Sequence, residues 1–274
     1  MLGHDLCEVA AAAGHELSAF GHAQLDITDA AAVDDAVNGA RPDVVINCAA
    51  YTNVDGAETD EELAEAVNGS GAGNVARAAA AAGAWTIHVS SDYVFDGSAR
   101  EPYVESDPVG PLSAYGRSKL SGERAVAEAA PQSHTIVRSS WLFGASGRCF
   151  PATIMRLAAE RDELSVVDDQ VGSPTFTGHL AAALIDVAAS SPRLEGVVHV
   201  AAGGRCSWFE FAREIVLRAG LECDVKPGTT ADLGRPAPRP AFSVLGTERG
   251  SDAPRLPDWR EGLARYTSLT VLAR

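Results

Sequence analysis

The chain is 274 residues long, 46% hydrophobic, and carries a formal net charge of -15. Such an acidic balance opposes nonspecific attraction to nucleic acid or anionic membrane, so neither is expected as a partner, and an anionic ligand needs a local basic cluster. No run approaches the ~18 apolar residues of a membrane span, the start lacks a signal-peptide pattern, and the five scattered cysteines form no C-x-x-C pair, so a reduced, cytoplasmic globular protein without a metal site is expected.

The elements are expected in this order: a helix over 2–13, a strand over 15–20, a helix over 29–38 capped by Thr28, and an apolar strand over 43–48. A long helix over 60–82, a strand over 85–90, a helix over 113–129 and a short strand over 135–138 follow. Strands alternating with helices predict class α/β, a doubly wound, mostly parallel sheet covered on both faces. Beyond about residue 145 the rhythm loosens into helices over 150–161, 177–189 and 207–218, the last opened by a capping box, Ser207 with Glu210. The chain therefore divides into a Rossmann-like unit, 1–145, and a smaller lobe, 146–274, interleaved with the sheet.

Tyr115 and Lys119 stand four residues apart in Tyr115-Gly116-Arg117-Ser118-Lys119, on one helical face. A free tyrosine titrates near ~10, and a cation about 4 Å away in an effective dielectric of ~20 favours the phenolate by roughly 4 kcal/mol, about three pK units. Tyr115 is thus expected to exchange protons near neutrality. Ser91 closes the apolar strand over 85–90, at the carboxyl end where open α/β sheets bind ligands, and its hydroxyl is placed to polarise a carbonyl that Tyr115 protonates. The Y-x-x-x-K spacing alone is equally that of an amphipathic surface helix. Arg235 and Arg239, in a Pro-rich segment, read either as a solvated loop or as the basic cluster that an anionic substrate requires.

Further strings narrow the reading: Asn47-Cys48-Ala49-Ala50-Tyr51-Thr52, Ser90-Ser91-Asp92-Tyr93-Val94-Phe95-Asp96-Gly97, Arg138-Ser139-Ser140-Trp141-Leu142-Phe143-Gly144 and Asp168-Asp169-Gln170-Val171-Gly172-Ser173-Pro174-Thr175. In this order they resemble the extended short-chain dehydrogenase/reductases and, more narrowly, the dTDP-4-dehydrorhamnose reductase family. The resemblance covers nearly the whole chain. It implies NADPH-dependent reduction of a nucleotide sugar in dTDP-rhamnose and polysaccharide synthesis, with Ser91, Tyr115 and Lys119 catalytic. It places Gly3, Asp26, Ile27, Ala50, Tyr51, Thr52, Val89, Tyr115 and Lys119 at the cofactor, and Ser91, Asp92, Trp141, Arg235 and Arg239 at the substrate. Trp141 is also suited to a core, and Asp26 to a turn. A homodimer and a bound magnesium ion are compatible with the resemblance, but no ligand spacing commits to the metal.

Two departures accompany it. The family's first strand and its G-x-x-G-x-x-G loop are absent apart from Gly3, so the recorded start is expected to lie about a dozen residues inside the gene product. After the segment 15–20 no carboxylate stands where many relatives accept a ribose 2'-OH, which weakens an NADH preference and suits NADPH, or both. Two other functions share the pattern: a non-catalytic regulatory homologue of the methionine adenosyltransferase subunit type, and a nucleotide-sugar 4-epimerase.

Overall fold

A computed structural model describes residues 1–271. Helix α1 (Leu2–Ala12) buries Leu2, Leu6 and Ala10, the i, i+4, i+8 stripe of an amphipathic helix. Helix α2 (Ala30–Ala40) is capped by Asp29, not Thr28: the Asp29 carboxylate accepts from the N–H groups of Ala31 at 3.0 Å and Ala32 at 3.1 Å, while Thr28 donates to Asp26. Strand β1 (Val44–Asn47) comes next. The single helix expected over 60–82 is broken into α3 (Glu61–Glu65), a π-helical segment (Ala66–Gly71) and α4 (Ala72–Ala81). The break is the kind of bulge that marks functional sites, and it turns the Asn68 side chain into the interior.

Strand β2 (Trp85–Ser91), helix α5 (Ala114–Ala129), whose cap Ser113 accepts from Gly116 N–H, and strand β3 (His134–Ser139) complete the first half. The second half is more finely divided: β4 (Leu142–Phe143), α6 (Phe150–Glu160), β5 (Glu163–Val167), β6 (Val171–Gly172), β7 (Thr175–Phe176), α7 (Thr177–Ala189), β8 (Gly196–His199) and β9 (Cys206–Ser207). Helix α8 (Trp208–Ala219), opened by the expected Ser207–Glu210 capping box, β10 (Asp224–Gly228), α9 (Thr230–Leu233) and α10 (Trp259–Val271) end it.

The main sheet has the order β1-β2-β3-β8, all parallel. One face is covered by α1 and α7, whose Leu2, Leu6, Leu180 and Leu184 pack with Ile87, Val89, Val137 and Val198. On the other face Val75 and Ala78 of α4 pack against α2, and Val126 of α5 against Ile136. This is the Rossmann-like arrangement, a parallel sheet between helical layers. A second core, around Phe143, Phe211, Ile215, Trp259 and Leu263, holds the lobe that β5 and β10 close as a parallel pair.

The strand expected over 15–20 does not form; these residues are irregular and exposed. Among the described residues β1 is an edge strand of its sheet, and no strand lies between it and the segment 15–20. Without a neighbour to take its N–H and C=O groups, an extended segment gains nothing to offset its ordering.

Candidate active site

Ser91 is the last residue of β2, at the carboxyl end of the sheet, where α5 brings Tyr115 and Lys119 against it. The approach depends on two glycines. A Cβ at Gly116 would lie 2.3 Å from the Tyr93 carbonyl oxygen, and one at Gly122 only 2.0 Å from that of Asn68. The Asn68 side chain, turned inward by the π-helical segment, accepts from Tyr51 N–H at 2.8 Å and donates to Tyr51 O at 3.0 Å and to Ser118 Oγ at 2.9 Å. The loop after β1, which carries Ala50, Tyr51 and Thr52, is thereby fixed to the helix that carries the tyrosine and lysine.

The Ser91 hydroxyl donates to Asp92 Oδ1 at 3.0 Å, accepts from Tyr93 N–H at 3.2 Å and faces the Tyr115 phenol. Lys119 is 2% exposed, and its Nζ donates to Val89 O at 2.8 Å. The electrostatics differ from the expectation drawn from spacing. Burial pushes the Tyr115 phenol up to about 12, Ser91 pulls it partly back, and Asp92 raises it again. The helical neighbour Lys119 does not counter this. Its own ammonium is drawn down to about 8 by burial, against the pull of Glu123 and Cys48. Asp92 is raised to about 7, burial outweighing the hydrogen bond it accepts from Ser91. Burial therefore weighs against charge at each of these groups, while a Lys119 value of about 8 still leaves its ammonium charged at pH 7.

The remaining expected residues fall into three groups. Val89 accepts from Lys119, and Ala50, Tyr51 and Thr52 lie on the loop that Asn68 fixes, where Tyr51 packs in one apolar cluster with Tyr115. Gly3 lies in the first turn of α1, near Cys48; Asp26 is exposed and bonded to Thr28; Ile27 is buried among Val33, Val37 and Val75. Trp141 has φ +46°, a left-handed conformation that is rare for a bulky residue, and its ring stacks on Trp208 with centroids 3.5 Å apart and 3° between planes. Arg235 and Arg239 do converge, but on Asp55: Arg239 grips both carboxylate oxygens at 2.9 Å, and Arg235 stands 3.5 Å away.

Sequence reasoning missed Ser90, Glu123 and Arg138, a buried polar network directly behind Ser91 and Lys119. The available signal was a glutamate four residues past the lysine. Among the described residues His4, Asp5 and Glu8 also gather possible ligand atoms within 4.8 Å of one another, but His4 and Glu8 are exposed on α1 and the triad lies elsewhere. No helix among the described residues is long and apolar enough to cross a membrane.

A Rossmann-like sheet with a serine ending one strand, and a tyrosine and lysine one turn apart on the following helix, has the architecture of a short-chain dehydrogenase/reductase. The sequence profile of the RmlD substrate binding domain matches residues 1–271, and the chain belongs to that family. It is 46% identical to a dTDP-4-dehydrorhamnose reductase of Mycolicibacterium smegmatis, over 99% of this chain and 83% of the relative. It is 42% identical to a probable dTDP-4,6-dihydroxy-2-methyloxan-3-one 4-ketoreductase of Streptomyces antibioticus, over 96% of this chain and 90% of that one. Among solved structures, the dTDP-4-dehydrorhamnose reductase of Bacillus anthracis in complex with NADP superimposes with a TM-score of 0.93 at 39% identity, over 98% of this chain and 95% of the other.

Proposed function

We propose that the protein reduces dTDP-4-dehydro-β-L-rhamnose to dTDP-β-L-rhamnose with NADPH, in the supply of rhamnose to polysaccharide. The observation that carries the reading is the Ser91 hydroxyl facing the Tyr115 phenol beside a buried Lys119. Bound NADPH would supply the hydride. Tyr115, kept neutral by burial, is the proton donor to the C4 oxygen of the sugar, and Ser91, its hydroxyl turning from Asp92, donates a hydrogen bond to that oxygen as charge develops on it.

The nicotinamide ribose end of the cofactor fits these residues. The Lys119 ammonium has three N–H groups and, among the described residues, one hydrogen bond, to Val89 O, so two remain to meet ribose hydroxyls. Ala50, Tyr51 and Thr52 would border the cofactor, with Gly3 at the start of α1. Residues 1–145 would hold the cofactor and 146–274 the sugar nucleotide, with Asp92 and Trp141 as contacts and Arg239 and Arg235 exchanging Asp55 for diphosphate oxygens.

The similarity to the Streptomyces antibioticus ketoreductase supports a second reading, in which a related dTDP-4-keto sugar is the substrate. Both are tested by following NADPH oxidation with each keto sugar and identifying the product. Turnover of dTDP-4-dehydrorhamnose is expected. Oxidation with neither sugar would overturn the reductase assignment.

A further inference from the structure

The chain has 22 basic side chains, and only two are lysines, Lys119 and Lys226. Lys226 is exposed and paired with Asp224. Lys119 is buried, with its ammonium on Val89 O, and one helical turn later Glu123, 4% exposed, accepts from the Ser90 hydroxyl at 2.6 Å. Two successive residues of β2 are therefore each held by a side chain of α5. The same carboxylate takes both prongs of Arg138, Nε at 2.8 Å and Nη2 at 2.7 Å, and Arg138 is the β3 partner of Ser90 in the sheet register. Glu123 is thus ion-paired with Arg138 one helical turn beyond Lys119, whose ammonium it draws toward the charged form.

Of the other groups around Lys119, Cys48 adds to that pull only as a thiolate. Burial pushes the Cys48 thiol up to about 12 and the Tyr115 phenol up to about 12, while burial and Lys119 together hold His88 well below the ordinary imidazole value. All three are neutral near pH 7. On the far side of Arg138, His199 is also lowered by burial, and Glu105 is occupied by His199 N–H, Thr247 and Glu248 N–H. The Arg138–Glu123 pair is not explained by stability alone, because a buried ion pair is often no better than apolar side chains of the same volume. A buried ammonium without an anion, in contrast, gives up its proton.

We propose that Glu123 is a positioning residue for the reaction, holding Lys119 protonated and seated on Val89, and that Arg138 sets the strength of that hold by competing for the same carboxylate. The proposal rests on the reading in which Lys119 acts as an ammonium.

With two lysines, the protein labelled with 13C/15N-lysine gives two side-chain signals, and Lys226 is the internal reference. Glu123→Gln is expected to lower the Lys119 midpoint by at least about one pH unit, and Arg138→Met, which keeps an apolar stem over Phe95, to raise it by at least about half a unit, with Lys226 fixed in both. The basic limb of kcat/KM should move with Lys119. Activity lost in Glu123→Gln should return as the pH is lowered, and Glu123→Asp should restore part of it. An unmoved Lys119 midpoint in both variants, or shifts in the same direction, would overturn the proposal; if Glu123→Gln does not fold, an Arg138→Met midpoint that stays or falls does so. Lys119→Met, assayed alongside, separates the two ideas: full activity there removes the catalytic reading and leaves the Glu123 effect on Lys119 standing.

Discussion

Asp92 and Tyr115 border the same serine, and burial drives both toward their neutral forms. For Tyr115 this means a retained proton, so Tyr115→Phe is expected to lower kcat by at least about 10²-fold while the melting temperature and nucleotide-sugar affinity stay near wild type. Steady-state rates and calorimetric titration check it; activity within about threefold of wild type would remove Tyr115 as proton donor. For Asp92 the consequence is a dependence of stability on pH. An acid with a folded value of about 7 and an unfolded value near ~4 binds more protons when native in that window. Its contribution is fully present below ~4 and declines as pH rises through about 7. Asp92→Asn removes the decline, so its melting temperature should exceed wild type by at least about 2 °C at pH 8 and lose that advantage at pH 4. The sequence offered Tyr115 as a candidate through its spacing from Lys119, and Asp92 only through the family resemblance. Their proton affinities were not legible, since burial is set by the tertiary fold, as where the Tyr93 ring meets that of Tyr115, and it outweighs the helical neighbour.

At the scale of elements, helix positions were legible wherever a cap or an apolar stripe declared them, as at Ser113 and in the Ser207–Glu210 box. The interruption between α3 and α4 was missed although Asn68-Gly69-Ser70-Gly71 is a breaker signal, because the flanking alanine-rich runs read as one helix over 60–82. What breaks it is tertiary: Ile27 lies where a Cβ of Gly71 would be, at 2.8 Å, and Asn68 must reach Tyr51 and Ser118. The crossing of α5 over this segment makes a paired prediction. Gly122→Ala forces a methyl onto the Asn68 carbonyl and should cost on the order of 1–3 kcal/mol by urea denaturation. Gly39→Ala, in exposed α2 with nothing near its missing Cβ, should add about 0.5–1 kcal/mol. Equal effects would mean that the two helices do not meet at Gly122.

Across the whole molecule, Asp55 joins the loop after β1 to the Pro-rich segment of residues 235–240, so an ion pair spanning 184 positions ties the first half of the chain to the second. Arg239 is largely buried, and lysine cannot reproduce its two-pronged grip. Arg239→Lys should therefore lower the melting temperature and raise KM for the nucleotide sugar severalfold. A lowered melting temperature with unchanged KM would confine Arg239 to tying the halves. The α/β class was readable from alternation alone, but the partner of the arginines was not, since nothing local links positions 55 and 239. The segment 15–20 shows the same limit from the other side: its composition suits a strand, and a strand exists only with a neighbour.

The stacked Trp141 and Trp208 make two of the chain's four tryptophans a single optical object. Indoles lying parallel at 3.5 Å share their electronic transitions, so the pair should absorb and rotate light as one chromophore. Trp208→Phe should then alter the tryptophan circular dichroism by more than the loss of one indole in four, and a nucleotide sugar that engages Trp141 should change the same band without any added dye. A spectrum that merely falls by a quarter would show that the rings stand apart in solution.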